Sequence, residues 1–362
     1  MVVFQISVHR DPQKIKEIAE MIKKITPKNE KFNFIHVCGT HEQVLTQYGL
    51  RDLLPKNIDL IAGPGCPVCV VPSQDIDAAI ELSGKDVIIT TFGDMSRVPG
   101  SEKSLLDSKT EGADVRIVYG PNDATEIARK NPDKQIAFFA IGFETTIAIV
   151  AAELKRDPPE NFSIICSHKT IPAAMNLLVA AGELQIDGFI CPGHVSTIIG
   201  TKPYEVFSKA YKIPVVVTGF EPMDIMASIF SLIKQKNEDQ PIVENQYKRA
   251  VRPEGNLKAM KIINEFFEII STHWRGIGRI SEGGYKLKND ELDALKKFNI
   301  KVENARDIRP GCICHLVMIG KMKPHSCNLF GKECTPTHPY GPCMVSHEGT
   351  CNIQHRFGNI IL

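Results

Sequence analysis

Between residues 30 and 240, short apolar runs alternate with helical patterns, and this alternation limits the possible folds more than any other feature of the chain. The runs predict strands at Phe32–Val37, Asp59–Ala62, Val87–Thr91, Val115–Tyr119, Ile136–Ile141, Phe162–Cys166, Gly188–Cys191 and Val215–Thr218. Helical spacing lies between most of them, at Ser73–Ser83, Asp123–Arg129, Glu144–Lys155 and Ile171–Ala181. Strand and helix in alternation predict parallel sheets covered on both faces. Ligand groups in such sheets sit in the loops beyond the carboxyl ends of the strands. Here those loops read Cys-Gly-Thr-His-Glu (38–42), Gly-Pro-Gly-Cys-Pro-Val-Cys (63–69), Gly-Phe-Glu-Thr-Thr (142–146) and Cys-Pro-Gly-His-Val-Ser (191–196).

An offset of 128 residues sets Cys38 on Cys166, Ile58-Asp59 on Ile186-Asp187, Pro64-Gly65 on Pro192-Gly193, and Val87, Thr90 and Phe92 on Val215, Thr218 and Phe220. A constant offset through three strand–loop units predicts an internal duplication, with similar strand patterns as the plainer explanation. The expected division is one α/β domain over 13–120, a second over 121–240, and a helical, cysteine-rich domain over 241–362, joined by 1–12. In that last part Leu257–Thr272 reads as one amphipathic helix, and Phe357–Leu362 as a short strand docking back. Residues 310–351 are rich in Cys, His, Pro and Gly with little periodicity, which suits folding around a metal centre.

Lys+Arg number 43 and Asp+Glu 42, so the net charge of +1 argues against a surface built to track nucleic acid. No apolar run is long enough to span a bilayer and no basic-then-apolar leader opens the chain, so the expected location is the cytoplasm. In that setting eleven cysteines point to metal or redox chemistry before stapling.

Cys314, Cys327, Cys334 and Cys351 lack the paired knuckles of structural zinc, and their wide spacing suits an iron–sulfur cluster. Zinc or disulfides are the alternatives, and Cys312 and Cys343 compete for the same ligand places. Cys66 and Cys69 read as a redox pair, as half a zinc site completed by Cys38 and His41, or as structural thiols. Cys38 and His41 can face one ligand as a thiolate and an imidazole, although a lone strand-end Cys is often a small buried hydrophobe. Glu144 is a candidate binding residue or a helix-start acid, and Cys191-Pro-Gly-His194 reads as the counterpart of the redox loop, with His194 a binding candidate at the place of Cys66. Glu348 sits three residues before Cys351, beside the cluster or in solvent, and Cys166 and Cys191 read as core thiols. No Walker-type or well-placed dinucleotide-binding glycine motif is present.

The four loop motifs and the spacing 314, 327, 334 and 351, all in order, resemble the HypD family of hydrogenase-maturation proteins over essentially the whole chain. The resemblance implies a scaffold for assembly of the Fe(CN)2CO unit of nickel–iron hydrogenases. It implies a small HypC-like chaperone and a HypE-like cyanide donor as partners. It implies that Cys38 is the iron ligand with His41 in support, and that a [4Fe–4S] cluster takes Cys314, Cys327, Cys334 and Cys351. It further implies a redox role for Cys66 and Cys69 between cluster and iron, and importance for Glu348. The other class of function open to these residues is a thiol–disulfide reductase acting on a protein, with Cys38 structural; a zinc-stabilised binding module is a third.

Overall fold

The computed structural model describes residues 8–358. Its strands are β1 (Phe32–His36), β2 (Ile58–Ala62), β3 (Val87–Thr91), β4 (Val115–Ile117), β5 (Gln135–Gly142), β6 (Phe162–His168), β7 (Gly188–Pro192), β8 (Val215–Thr218), β9 (Val243–Asn245), β10 (Phe267–Trp274) and β11 (Gly278–Leu287). A first sheet has the order β2-β1-β7-β8-β9 and a second the order β4-β3-β5-β6. Every neighbouring pair in both is parallel. The fold is therefore α/β with two parallel sheets, followed by a cysteine-rich C-terminal region.

Counted within each sheet, both begin with the order second, first, third, fourth. The second sheet is made whole between β2 and β7 of the first. Sheet membership thus departs from a division into 13–120 and 121–240: the second sheet draws its strands from one stretch, 87–168, and the first from the two stretches that flank it. The 128-residue offset does not describe a copied domain either. It maps the neighbours β1 and β2 onto the regions of β6 and β7, which lie in different sheets. What recurs at that offset is the strand–loop–helix unit; what recurs in space is the strand order.

Side-chain alternation along the strands divides the core. In β5, Ile136, Phe138 and Ala140 pack outward against the helices Glu144–Leu154 and Leu257–Phe266. Ala137, Phe139 and Ile141 turn to a central core. In the first sheet Phe32 and Phe34 face outward, toward helices Pro12–Ile25 and Pro222–Asn237, while Ile35 and Val37 join that central core. The same core takes in Cys314, Cys334, Cys343 and Cys351, so both sheets and the C-terminal region share one interior.

The helix expected over Leu257–Thr272 stops at Phe266. Asn256 caps its start by accepting from the Ala259 N–H, and β10 then runs antiparallel to β11. The run after Phe266 is short, apolar and β-branched, so its period does not separate helix from strand; burial of Phe267 and Trp274 at its two ends favours the hairpin. At the C-terminus Phe357 closes the helix Thr350–Phe357; the rest of the expected terminal strand, 359–362, lies outside the described residues, as do 1–7 of the segment 1–12. Among the described residues no helix is long and apolar enough to cross a membrane.

Candidate functional site

In a doubly wound sheet the crevice for a ligand opens where the strand order reverses, at the carboxyl ends of the two strands involved. In the first sheet those strands are β1 and β7. Beyond β1, Cys38 is the N-cap of helix Gly39–Gln47, with its sulfur near the backbone N–H groups of His41 and Thr40, which favour the thiolate. Beyond β7, helix Gly193–Ile199 carries His194. His194 stacks on Phe220 at 4.0 Å between centroids, and Phe220 stacks on His41 at 5.0 Å, so one phenyl ring joins the two strand ends.

Two glycines make room for this arrangement. A Cβ on Gly65 would lie 2.3 Å from the Cys38 nitrogen, so only glycine lets the 63–69 loop rest on the Cys38 backbone. A Cβ on Gly39 would lie 2.3 Å from the Glu348 carbonyl oxygen, which shows how closely the C-terminal region covers the start of this helix.

Burial, with the charge of Glu348, pushes the Cys38 thiol up to about 11, against the pull of the helix N–H groups. Burial and the neighbouring His36 push His41 down to about 3, so its imidazole is neutral. His41 donates from Nε2 to the Gly219 carbonyl at 3.1 Å, which leaves the lone pair on Nδ1; that atom is buried without a hydrogen-bond partner. Burial raises Glu348 and burial would raise Glu42, but Arg51 and His36 overcome it and hold Glu42 well below the usual carboxylate range. Glu42 meets His36 at 2.8 Å, Arg51 at 2.6 Å and Gln354 at 2.6 Å. His36 in turn reaches the Cys38 carbonyl at 3.2 Å. This network lies directly beneath the Cys38 turn.

Cys66 and Cys69 are bonded to each other as a disulfide, which leaves neither thiol free for a zinc site shared with Cys38 and His41. The disulfide is buried, at 6% and 0% exposure for the two residues. A small cavity is lined by Cys38, Cys66, Cys69, Cys343, Glu348 and His36. A second cavity is lined by Cys312, Cys314, Cys327, Cys334, Cys343 and Cys351, with Ile313, Leu329, Phe330 and Met344 as apolar walls. Cys343 lines both cavities, and the Cys69 sulfur lies 3.8 Å from the carbonyl of Pro342. The sequence left Cys343 unassigned; its place between the two cavities depends on folding and had no local signal.

The donor set of the second cavity is soft and enclosed by hydrocarbon, which fits a thiolate-held iron–sulfur cluster. Cys312 and Cys314 are side by side there: the Cys314 thiol hydrogen-bonds to Cys312 and draws it down to about 7, while Cys314 itself is pushed up. Gly341 fits against both, since a Cβ on it would lie 2.8 Å from the Cys312 sulfur and 3.4 Å from that of Cys314. Among the described residues, no group of three or more His, Cys, Asp or Glu is placed to hold a single metal ion.

Glu144 is placed elsewhere, at the corresponding point of the second sheet, where it starts the helix after β5. Its Oε1 accepts from the Ile171 N–H at 3.0 Å, Oε2 has no partner, and burial raises the carboxyl to about 7. It lines neither cysteine cavity. Cys191 is buried beside Met175 at 3.7 Å, and Cys166 meets the Tyr285 carbonyl at 3.4 Å, as core thiols do. Residues the sequence did not single out are His36, Arg51, Phe220 and Gln354. Each comes from a different element and meets the site only in three dimensions.

The HypD family profile, described as the "Hydrogenase formation hypA family", matches residues 13–358. A protein of Methanocaldococcus jannaschii named for hydrogenase expression and formation is 47% identical over 96% of this chain and 98% of its own length. The hydrogenase maturation factor HypD2 of Bradyrhizobium diazoefficiens is 43% identical over 96% of this chain and 95% of its own. The hydrogenase maturation factor HypD of Rhizobium leguminosarum bv. viciae is 44% identical over 98% and 95%.

Proposed function

The chain belongs to the HypD family of hydrogenase maturation factors, and from that premise we propose that it is a scaffold on which the Fe(CN)2CO unit of nickel–iron hydrogenases is built. One observation carries this reading. The free thiol of Cys38 stands at the reversal point of the first sheet, in one cavity with the Cys66–Cys69 disulfide and Glu348.

The iron fragment is the cargo, and Cys38 is its anchor. Ferrous iron with cyanide and CO ligands is electron-rich and suits a soft thiolate. Because burial favours the neutral thiol, iron displaces a proton from Cys38; the raised Glu348 carboxylate nearby is the group that takes it. The helix N–H groups of Thr40 and His41 stabilise the resulting thiolate. His41, neutral and oriented by the Gly219 carbonyl, keeps a buried lone pair on Nδ1, one helical turn from Cys38. The small HypC-like chaperone docks over the cleft near Cys38 and shares the iron, and a HypE-like protein delivers cyanide.

A [4Fe–4S] cluster, when bound, supplies single electrons. Cys327, Cys334 and Cys351 hold it with one member of the Cys312–Cys314 pair; the family spacing names Cys314. Replacing Cys312 and Cys314 by serine one at a time settles the fourth ligand: iron and sulfide content falls in one variant and stays in the other. Equal loss in both, or in neither, removes this assignment. The Cys66–Cys69 disulfide accepts two electrons and two protons to become a dithiol, which stores the pair beside Cys38.

A plain protein reductase fits less well, because a disulfide this buried offers a protein substrate no approach. The two readings separate on the protein purified anaerobically with its co-purifying partner. The scaffold retains iron with cyanide and CO infrared bands. A reductase shows neither.

A further inference from the structure

Arg275 occupies the turn between β10 and β11 and is 1% exposed. Its backbone N–H donates to the Val70 carbonyl at 3.0 Å, next to the disulfide. Its Nε donates to the Asp307 carbonyl at 2.9 Å and one Nη to the Pro99 carbonyl at 2.8 Å. The other guanidinium nitrogen, Nη1, is buried with no acceptor. Every hydrogen-bond partner the side chain has is a neutral carbonyl. The next residue, Gly276, has φ +65°, and a Cβ there would lie 2.6 Å from the Cβ of His315, the residue after Cys314. Arg275 is therefore wedged between the disulfide loop and the cysteine cage.

An arginine side chain does not give up its proton in a protein. Removing that charge from water costs several kcal/mol unless an anion faces it. The charged and titratable groups that act on Arg275 are Cys314, Asp307 and Cys312, with Arg309 as a like charge. The Asp307 carboxylate is already engaged by the N–H groups of Ser73 at 2.8 Å and Gly276 at 2.9 Å. The remaining groups that can carry negative charge are the cage cysteines, which become thiolates on holding a cluster.

We propose that Arg275 is the fixed positive charge of the cysteine cage, that it offsets the negative charge of the thiolate-held cluster, and that it sets that cluster's reduction potential. The proposal rests on the cluster reading above. Reduction adds one electron to a group already ringed by thiolates. A cation buried behind the cage, in low-dielectric surroundings, stabilises the reduced form more than the oxidised one. Through its bond to Val70 the same residue fixes the disulfide loop against the cage, so the two redox groups are held by one anchor.

The test compares Arg275→Gln and Arg275→Lys with the parent, as full chains loaded anaerobically with iron and sulfide. Each is followed by iron content, thermal melting and a spectroscopic redox titration. With Gln, the ratio of reduced to oxidised cluster at a fixed poise is expected to fall at least about tenfold, a shift of about 59 mV for a one-electron couple. With Lys, the change stays within about threefold. Loss of the cluster in a folded Gln variant, with retention in the Lys variant, supports the same charge role. Titrations that overlay the parent in both variants overturn it. So does equal loss of folding or of iron in both, because the carbonyl bonds of the guanidinium fork then explain the residue. A parent chain that takes up no cluster overturns the cluster reading itself, and the proposal with it.

Discussion

The two parallel sheets share one strand order and differ in what stands at its reversal point. In the first sheet the strand β1 leads into Cys38 and Gly39 at the start of the next helix. Its topological partner in the second sheet, β3, leads into Phe92 and Gly93. Phe92 turns its ring onto Phe138 at 5.7 Å, and Phe143, beyond β5, packs on Trp274 at 6.1 Å. A thiol stands at the reversal point of one sheet, and phenyl rings with the buried Glu144 stand at that of the other. A doubly wound sheet therefore offers a place for chemistry, and the residue at the strand end decides whether chemistry occurs there.

The comparison is open to attack at equivalent helix positions. Glu42 lies in the first turn after β1, and Ser96 is its counterpart after β3. Glu42→Ala strips His36 and Arg51 of their shared carboxylate and leaves Gln354 only its longer bond to the Thr46 hydroxyl, at 3.2 Å. We expect a loss of about 3–5 kcal/mol in chemical denaturation. The Ser96 hydroxyl donates to the Gly93 carbonyl at 2.8 Å, so Ser96→Ala should cost about 1 kcal/mol. Equal costs would mean that the network under Cys38 is no more than ordinary packing.

The second test concerns Glu144, which stands where the first sheet has Gly193. The unfolded chain releases this proton near 4.5 and the folded chain near about 7. Between those values the folded state holds a proton that the unfolded state has lost, so stability falls as pH rises through the window and stays lower above it. Glu144→Gln cannot ionise. It should match the parent below the window and exceed it above, by about 3 kcal/mol at most. Parallel melting curves across pH would show that the carboxyl is not held neutral.

The smallest expected effect comes from the two helix-start glycines. Gly39→Ala drives a methyl into the Glu348 backbone and should cost about 2 kcal/mol. At Gly93 the nearest atom to a new Cβ is Ile117 Cγ2 at 3.7 Å, an ordinary contact, so Gly93→Ala should stay within about 0.5 kcal/mol. A tolerated Gly39→Ala would show that Glu348 does not cap the Cys38 turn.

Much of this was legible in the sequence, because strands and helices leave local periodic marks. Val87–Thr91, Val215–Thr218, Ser73–Ser83 and Ile171–Ala181 have the same bounds in the structure as in the pattern. Sheet membership leaves no such mark. That β7 pairs with β1 while β3 to β6 form a sheet of their own follows from long-range packing, so a constant offset misdirected the division into domains. The β10–β11 hairpin was hidden because Phe266 to Ile270 is apolar at helical and strand spacing alike. Cys38, Cys66, Cys69 and Glu348 line one cavity, which strand-end loops foreshadow. The position of Cys343 between two cavities, the His36–Glu42–Arg51 network and the buried Arg275 join elements far apart in the chain, and no residue among them carries a signal alone.

The central claim is that the iron fragment is held by Cys38, at the reversal point of the first sheet. Infrared spectroscopy of the Cys38→Ala variant, purified anaerobically with its partner, tests it most directly. The account predicts that the cyanide and CO bands vanish while the brown absorption of the iron–sulfur cluster stays. Bands of undiminished intensity in that variant would contradict it.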